Sequence, residues 1–474
     1  MVSADARIVW NARFASCRNE KISGARILAA FNATVDNVKF LRPRDFAKIG
    51  ALPLTFSRAS LPDKVLSPAD FACALAACAA SGKAVHLPGS PSAFAWFKKF
   101  FGAPDTRILG GQAGNAANAL AALDADSSVY PALLSPRQAE LFGNRVRVPV
   151  ISGSGKLSLI PARRAGRRGD ETLESWIFEL AEGAELRVNG KKIRVPRANR
   201  LIVSSDSPRF RPVFPRAFEP LLPQLGRRFH AAFLSGYFYV RDAETLAQAA
   251  AQARVLRENG VRTHWEYVPA QSPRFEKRIL LEVGGSVDSV GFNEVELGRA
   301  LRALGFEREA KAIVERDNAA AVFVGVRRLM KTLRVRQVQV HSLGYSIVVL
   351  NKGKCGNGGE SAGRADAVAA RDACVFASLV TALKAAKGAA PVSRGDVLRV
   401  PALNVGNSEL EQLRVFASNF SFGKSEARGF LQDGVAEFKD CFAVVVPAPV
   451  TPKPKLTVGL GDVFSSVFLA KEKS

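Results

Sequence analysis

Short apolar runs alternate with longer stretches of helical period along most of the chain. Ile27 to Phe31, Phe229 to Ser235, Arg262 to Tyr267, Ser286 to Gly291, Val335 to Leu343 and Phe442 to Val446 have strand length, and several are continuously apolar, as strands covered on both faces are. The spacing predicts helices over Ala69 to Ala80, Gly114 to Leu123, Ala243 to Asn259, Glu294 to Leu304 and Arg364 to Ala386, with Gly260 at a C-cap position after the third. Such alternation predicts an α/β fold, a mostly parallel sheet sandwiched by helices. From about Arg145 to Arg211 the pattern changes. Short alternating runs (Leu157 to Ile160, Trp176 to Leu180, Ile193 to Val195) are separated by Gly, Pro, Arg and Asn turns, which predicts a small antiparallel sheet inserted into the α/β body. Lys352 to Gly363 is Gly-rich and polar and reads as a mobile loop.

Composition narrows the class without naming a function. The 474 residues are 47% hydrophobic and 23% charged, an ordinary globular balance at a length that allows two or three domains, or one large domain with a lid. No segment approaches the roughly 20 apolar residues that span a bilayer, and Met1 to Asp5 lacks the pattern of a secretory leader, so no membrane partner is expected. The six cysteines (17, 73, 78, 355, 374, 441) form no Cys-x-x-Cys pair, and with four histidines a zinc site is not expected. Cys73 and Cys78 read as small core residues of a helix, and a reducing cytoplasm fits this usage. The net charge of +24 is the one unusual figure, and it is common among nucleic-acid binders. It is spread along the chain, however, without the interleaved aromatics of single-strand binders, so it reads as a basic surface that draws anionic substrates and holds nucleic acid only weakly and non-specifically.

Candidate chemistry is concentrated near the end, at Thr457-Val458-Gly459-Leu460-Gly461-Asp462, before an apolar segment, Phe464 to Ala470, that starts a helix. Glycines let a backbone approach a ligand, and a helix N-terminus offers free N–H groups to an anion. An aspartate there can take the proton of an attacking hydroxyl, which suits phosphoryl transfer. Alone, Gly-x-Gly-Asp is as well explained by a turn with an aspartate cap. Six further polar motifs stand at the ends of predicted strands, the edge where open parallel sheets bind ligands. They are Asn32-Ala33-Thr34-Val35-Asp36, Gly110-Gly111-Gln112-Ala113-Gly114-Asn115, Ser235-Gly236-Tyr237, His264-Trp265-Glu266, Asn293-Glu294-Val295-Glu296-Leu297 and His341-Ser342-Leu343-Gly344-Tyr345. Asn32, Asp36 and Gln112 can hold sugar hydroxyls, Glu266 and Glu296 suit a hydrated Mg²⁺, and Arg197 and Arg200 suit phosphate, although each is also an ordinary turn, cap or surface residue.

The seven motifs in this order resemble the ADP-dependent glucokinase and phosphofructokinase family of the ribokinase-like superfamily, over about residues 27 to 470. The resemblance implies a ribokinase-like body (1–32, 61–144 and 213–474) and a small β-rich lid (33–60 and 145–212). It places Asn32, Asp36, Gly111 and Gln112 on the sugar, Asn293, His341, Ser342 and Gly461 at the nucleotide, and Glu266 and Glu296 by Mg²⁺. Gly459, Gly461 and Asp462 become the anion hole and general base, and one of Arg197 and Arg200 crosses from the lid to a phosphate. Val463 departs from the family, which usually has a small hydroxyl residue there.

Glucose-selective members resemble one another in carrying a glutamate about where His86 stands. Its loss removes a charged acceptor worth about 1.5–3 kcal/mol to a glucose hydroxyl. The expected reaction is therefore transfer of the β-phosphoryl of ADP to fructose 6-phosphate, releasing AMP, ahead of a glucokinase reaction. The choice of ADP over ATP rests on the resemblance alone. A basic, nucleic-acid-associated protein that keeps a kinase fold without catalysis is the alternative of a different class.

Overall fold

The computed structural model describes residues 2–52, 61–188, 191–353, 361–401, 403–451, 454–455 and 458–472. Cys355, Thr457 and most of the Lys352–Gly363 loop lie outside them. Among the described residues the chain builds two large, unequal sheets and a two-stranded ribbon of Glu185–Val188 with Lys191–Arg194. The larger has eleven strands among the described residues, in the order Val435–Glu437, Cys441–Pro447, Tyr345–Asn351, Gln337–His341, Ser289–Asn293, Arg262–Glu266, Ala231–Leu234, Arg26–Phe31, Asp126–Pro131, Arg147–Ile151 and Leu157–Pro161. From Gln337–His341 to Arg147–Ile151 all neighbours are parallel, and both edges are antiparallel. The expected mostly parallel, helix-covered sheet is therefore present. The strand at Phe442 to Val446 points the same way as the central strands but pairs antiparallel, because its neighbour Tyr345–Asn351 returns from Gln337–His341 as a hairpin.

The central strands are apolar because helices cover both of their faces. The helix Leu460–Lys471 is buried from Val463 to Ala470, since it packs between Gln112–Ala122 and Arg364–Lys387. It begins at Leu460, one turn before the apolar stretch read from the sequence. The strand order fixes where chemistry can occur: Asn32, Ser235, Glu266, Asn293 and His341 all come at the carboxyl ends of adjacent parallel strands.

The smaller sheet runs Val85–Gly89, Asn199–Ser205, Glu174–Leu180, Thr34–Phe40, Thr106–Gly110. Its outer face is sealed by Pro68–Ser81 and Pro91–Phe101 through an aromatic core of Phe71, Phe97, Trp176 and Phe178. Its inner face carries Asp36, Ser175 and Ser204 in register. Beside them, Val38 and Ile177 pack with Ile108 and Ile202 against Ala389 and Val458 of the body, which holds the two sheets together over the cleft.

Strand pairing divides the chain differently from the boundaries expected. Residues 85–110, assigned to the body, supply two strands of the small sheet, while 147–161, assigned to the lid, form an edge hairpin of the large one. The small sheet is mixed rather than antiparallel, because Thr34–Phe40 joins Glu174–Leu180 in parallel and Val85–Gly89 joins Asn199–Ser205 likewise. Period-2 alternation marks a strand with one covered face and says nothing of which sheet it joins. Part of the basic surface is internally neutralised, with Arg327 and Lys331 both meeting Asp440 and Arg336 meeting Asp366. Among the described residues no helix is long and apolar enough to cross a membrane.

Candidate active site

The site is assembled at the mouth of the cleft around Asp462, in the first turn of Leu460–Lys471. The helix can start there because Gly459 adopts φ +71°, a left-handed conformation that costs glycine nothing. At Gly461 a Cβ would stand 2.5 Å from His341 Cε1, so only a bare backbone lets the imidazole lie against the loop. Asn115 Nδ2 donates to Asp462 Oδ2 at 2.8 Å. Burial pushes the Asp462 carboxyl up to about 6 and the charge of Glu266 adds to this, while the Asn115 hydrogen bond, His341 and Arg200 pull it down. The group is thus poised to be a base near neutral pH.

Across the cleft Asp36 is buried, accepts from Thr34 Oγ1 at 2.7 Å and also bonds Ser175. Burial pushes its pKa to about 7, and Asp462 contributes to the rise, so Asp36 lies within the charge field of Asp462. Gln112 caps the same cleft. Its Nε2 donates to the Glu266 carbonyl at 3.1 Å, while its buried Oε1 has no donor, and Asn32 Oδ1 is in the same state. Buried amide oxygens rarely stay unpaired, so these two await a hydroxyl or N–H. Gly111, at φ +72°, tolerates no side chain: a Cβ would lie 2.7 Å from the Asn32 carbonyl oxygen.

Beneath Asp462 sits a chain of imidazoles and carboxylates. His264 Nδ1 meets Ser289 Oγ at 2.9 Å and its Nε2 meets Glu266 Oε2 at 3.1 Å, while His341 Nε2 meets Glu266 Oε1 at 3.2 Å. Burial alone would raise the Glu266 carboxyl, but the two imidazole hydrogen bonds outweigh it and hold it near 2. The same pairing overcomes the burial of His341 and lifts it to about 9. Glu266 and His341 are therefore a charged pair, with His341 standing beside Gly461 as a cation under the Gly459–Asp462 turn. Asn293 and Glu296 form a reciprocal capping box at the start of Glu294–Ala303, with both bonds 2.8 Å. Burial raises Glu296 to about 8, with the Glu266 and Asp462 charges adding to it. Ser342 lies in the turn after His341, its N–H donating to the Tyr345 carbonyl.

The two arginines separate. Arg200 lies in the cleft, within the charge field of Glu179, Asp462 and Glu296. Arg197 turns away, its Nε donating to the Gly82 carbonyl at 2.7 Å. Arg200 is therefore the arginine that faces Asp462. His86 reaches Ser204 Oγ at 2.7 Å, on the strand beside Ser175, and its ring approaches Phe238 of the body at 6.3 Å. Burial, then Arg200, push it down to about 4, so it is a neutral imidazole. Among the described residues no three His, Cys, Asp or Glu side chains cluster as a metal cage.

Asn115 and His264 stand at the centre of the site, although neither drew a role from sequence. Both lay inside quoted motifs. The signal was present for Asn115, an amide three residues after Gln112 and so on the same face of a helix.

A helix N-terminus, a buried carboxyl raised to about 6, a cleft arginine and two buried amide oxygens are the parts a sugar kinase requires. The comparisons specify which kind. The model of the family described as "ADP-specific Phosphofructokinase/Glucokinase conserved region" matches residues 25–471, and the chain belongs to that family. It is an ADP-dependent sugar kinase by class. It is 27% identical to the ADP-specific phosphofructokinase of Thermococcus kodakarensis, over 94% of this chain and 95% of that one. It is likewise 27% identical to the ADP-dependent glucose/glucosamine kinase of Pyrococcus furiosus, over 94% and 93%. Its fold is similar to an ADP-dependent kinase in complex with fructose-6-phosphate and ADPbetaS, at TM-score 0.82 and 27% identity, covering 98% of this chain and 97% of that one.

Proposed function

We propose that this enzyme transfers the β-phosphoryl group of ADP to a hydroxyl of fructose 6-phosphate, giving fructose 1,6-bisphosphate and AMP. The observation that carries the reading is the opposition of Asp462, in the first turn of Leu460–Lys471, and Asp36, on the small sheet, within reach of each other's charge, with Gln112 held to the strand end at Glu266. Asn32 Oδ1 and Gln112 Oε1 accept from sugar hydroxyls. Asp462 Oδ takes the proton of the attacking hydroxyl as its oxygen bonds to the β-phosphorus and the bond to the α–β bridging oxygen breaks, leaving AMP. Free N–H groups of the Gly459–Asp462 turn, His341 and Arg200 hold the charge that develops on the moving phosphoryl group. Closure of the small sheet keeps water, a competing acceptor, outside. Fructose 6-phosphate is favoured over glucose because His86 is neutral where a glucose-binding carboxylate would be needed, and because the complex with fructose-6-phosphate and ADPbetaS is a close structural relative.

The donor set fits a hydrated Mg²⁺ held mostly through water and phosphate oxygens. Glu266 and Asp462 both raise Glu296, and Glu266 raises Asp462, a concentration of negative charge that favours a cation, while Glu266 and Glu296 already accept hydrogen bonds from His264, His341 and Asn293. Glu296 and Glu266 would hold its waters, and the ion would supply charge neutralisation between the nucleotide phosphates. The test is a coupled assay with Mg²⁺ crossing ADP and ATP with glucose and fructose 6-phosphate, repeated on Asp462→Ala. Turnover with ADP and fructose 6-phosphate should lead, and the variant should lose about 10²–10⁴-fold in kcat while still binding nucleotide. Wild-type turnover in the variant would remove Asp462 from the mechanism.

A further inference from the structure

Beside the catalytic loop, against Asn115, Val458 and Val463, lies a cavity of ≈ 320 Å³ whose lining does not include Asp36, Gln112 or His341. That is within the range of small-molecule sites, at its lower end. One wall is the edge strand of the small sheet, at Arg107 to Leu109; the opposite wall is the end of Arg364–Lys387 with residues 389–392; the floor includes Asn115 and Val463. Most of the lining is apolar. Among the described residues the ionisable side chains on it, Arg107 and Lys384, are both cations, and no acid lines it.

Lys384 makes the cavity more than a packing gap. Its ammonium donates to the carbonyls of Ala389 at 2.9 Å and Ala390 at 3.4 Å, and among the described residues no carboxylate pairs with it. Burial, then its neighbour Lys387, push its pKa down to about 8, while Lys387 itself is neutralised by Asp396. A partly buried ammonium without a counter-charge is costly to keep, and it has three protons to give. Arg107 stands at the mouth, exposed, with only its Nε engaged by Asn37 Oδ1 at 3.2 Å.

We propose that this cavity binds a small organic anion, a carboxylate or phosphate monoester on a compact apolar body, with its head at Lys384 and its body against Leu109, Leu141 and Val380, and that it is an effector site coupled to Asp462 through Asn115. Asn115 joins the two sites directly, because it lines the cavity and also donates to Asp462. The walls come from the small sheet and from helices and loops of the body, so an occupant favours the arrangement in which Ile108, Ala389 and Val458 are packed together. By linkage, substrates that favour the same arrangement tighten it in turn. The coupling rests on the function proposed above; the binding does not.

The test is calorimetric titration of the full chain with phenyl phosphate and with phenylacetate, which separates the two head groups. At least one should bind the wild type saturably. Lys384→Met should weaken it tenfold or more, Lys384→Arg should retain it, and Ala119→Phe, which fills the cavity from its floor, should abolish it. Equal binding to the wild type and Lys384→Met, or no binding of either probe to the wild type, would overturn the site. In steady-state assays, saturating probe should change kcat or KM of the wild type and leave Lys384→Met unaffected; unchanged wild-type kinetics would remove the effector role while leaving the binding result to stand by itself.

Discussion

Replacing Asn115 with alanine isolates what holds Asp462 ready. The amide contributes one hydrogen bond to the carboxylate, Nδ2 to Oδ2 at 2.8 Å, and Gly459 lies close enough that the smaller side chain introduces no clash. A hydrogen bond to a charged group is worth about 1.5–3 kcal/mol, and 1.36 kcal/mol corresponds to one pH unit, so its loss should raise the Asp462 carboxyl by roughly one to two units. Starting from about 6, the ionised fraction at pH 7 then falls from roughly nine-tenths to between about a half and a tenth. The measurement is kcat/KM against pH with ADP and fructose 6-phosphate. Because the base acts only when ionised, activity rises with pH through its pKa, so the acid limb of Asn115→Ala should move up by one to two units, with activity several-fold low at pH 7 and largely restored near pH 9. An acid limb in the wild-type position, with activity depressed equally at every pH, would show that Asn115 only supports the loop and would refute the electrostatic role.

Gly111→Ala should destroy sugar binding and destabilise the fold, because the new methyl meets the backbone of Asn32 and Ala33 at a left-handed residue; a circular dichroism melt and a KM determination check both. Glu296→Gln should separate stability from function. Its carboxyl titrates near 8 when folded and near 4.5 when not, so its contribution is full below about pH 4.5 and is lost as pH rises towards 8. The ligand-free variant should therefore melt a few degrees above the wild type at pH 8 and with it at pH 4.5, while losing Mg²⁺-supported turnover; an equal difference at both pH values would show that burial of this charge is not the cause. His86→Glu restores an acid beside Ser204 and should raise the ratio of kcat/KM for glucose over fructose 6-phosphate about tenfold or more, and an unchanged ratio would mean that position 86 does not read the sugar.

The family's signature was legible because its chemistry is local. Gly-Leu-Gly-Asp, Asn-x-x-Glu and Gly-Gly-Gln each place a turn glycine or helix cap within a few residues of the polar group it presents, and the capping box of Asn293 and Glu296 forms as that spacing requires. What escaped was pairing at a distance. The motif His-x-Glu fixes two side chains on one strand, but not that His341, from another strand, closes the second oxygen of Glu266 and makes it a charged pair. Arg197 and Arg200 are equivalent as sequence, and only the direction of each side chain from the small sheet decides which one meets Asp462.

By itself the sequence determined the alternation of strand and helix, the carboxyl-end edge on which polar residues would gather, and the residue types available for phosphoryl transfer. These follow from periodicity and turn chemistry, which act over a few residues. The tertiary structure decided which sheet each strand joined, which carboxyls were pushed towards neutrality, and that Lys384 meets carbonyls but, among the described residues, no carboxylate. Strand partners are chosen by burial on a common core, and pKa values by desolvation and charges from distant parts of the chain, so neither is written in any one segment.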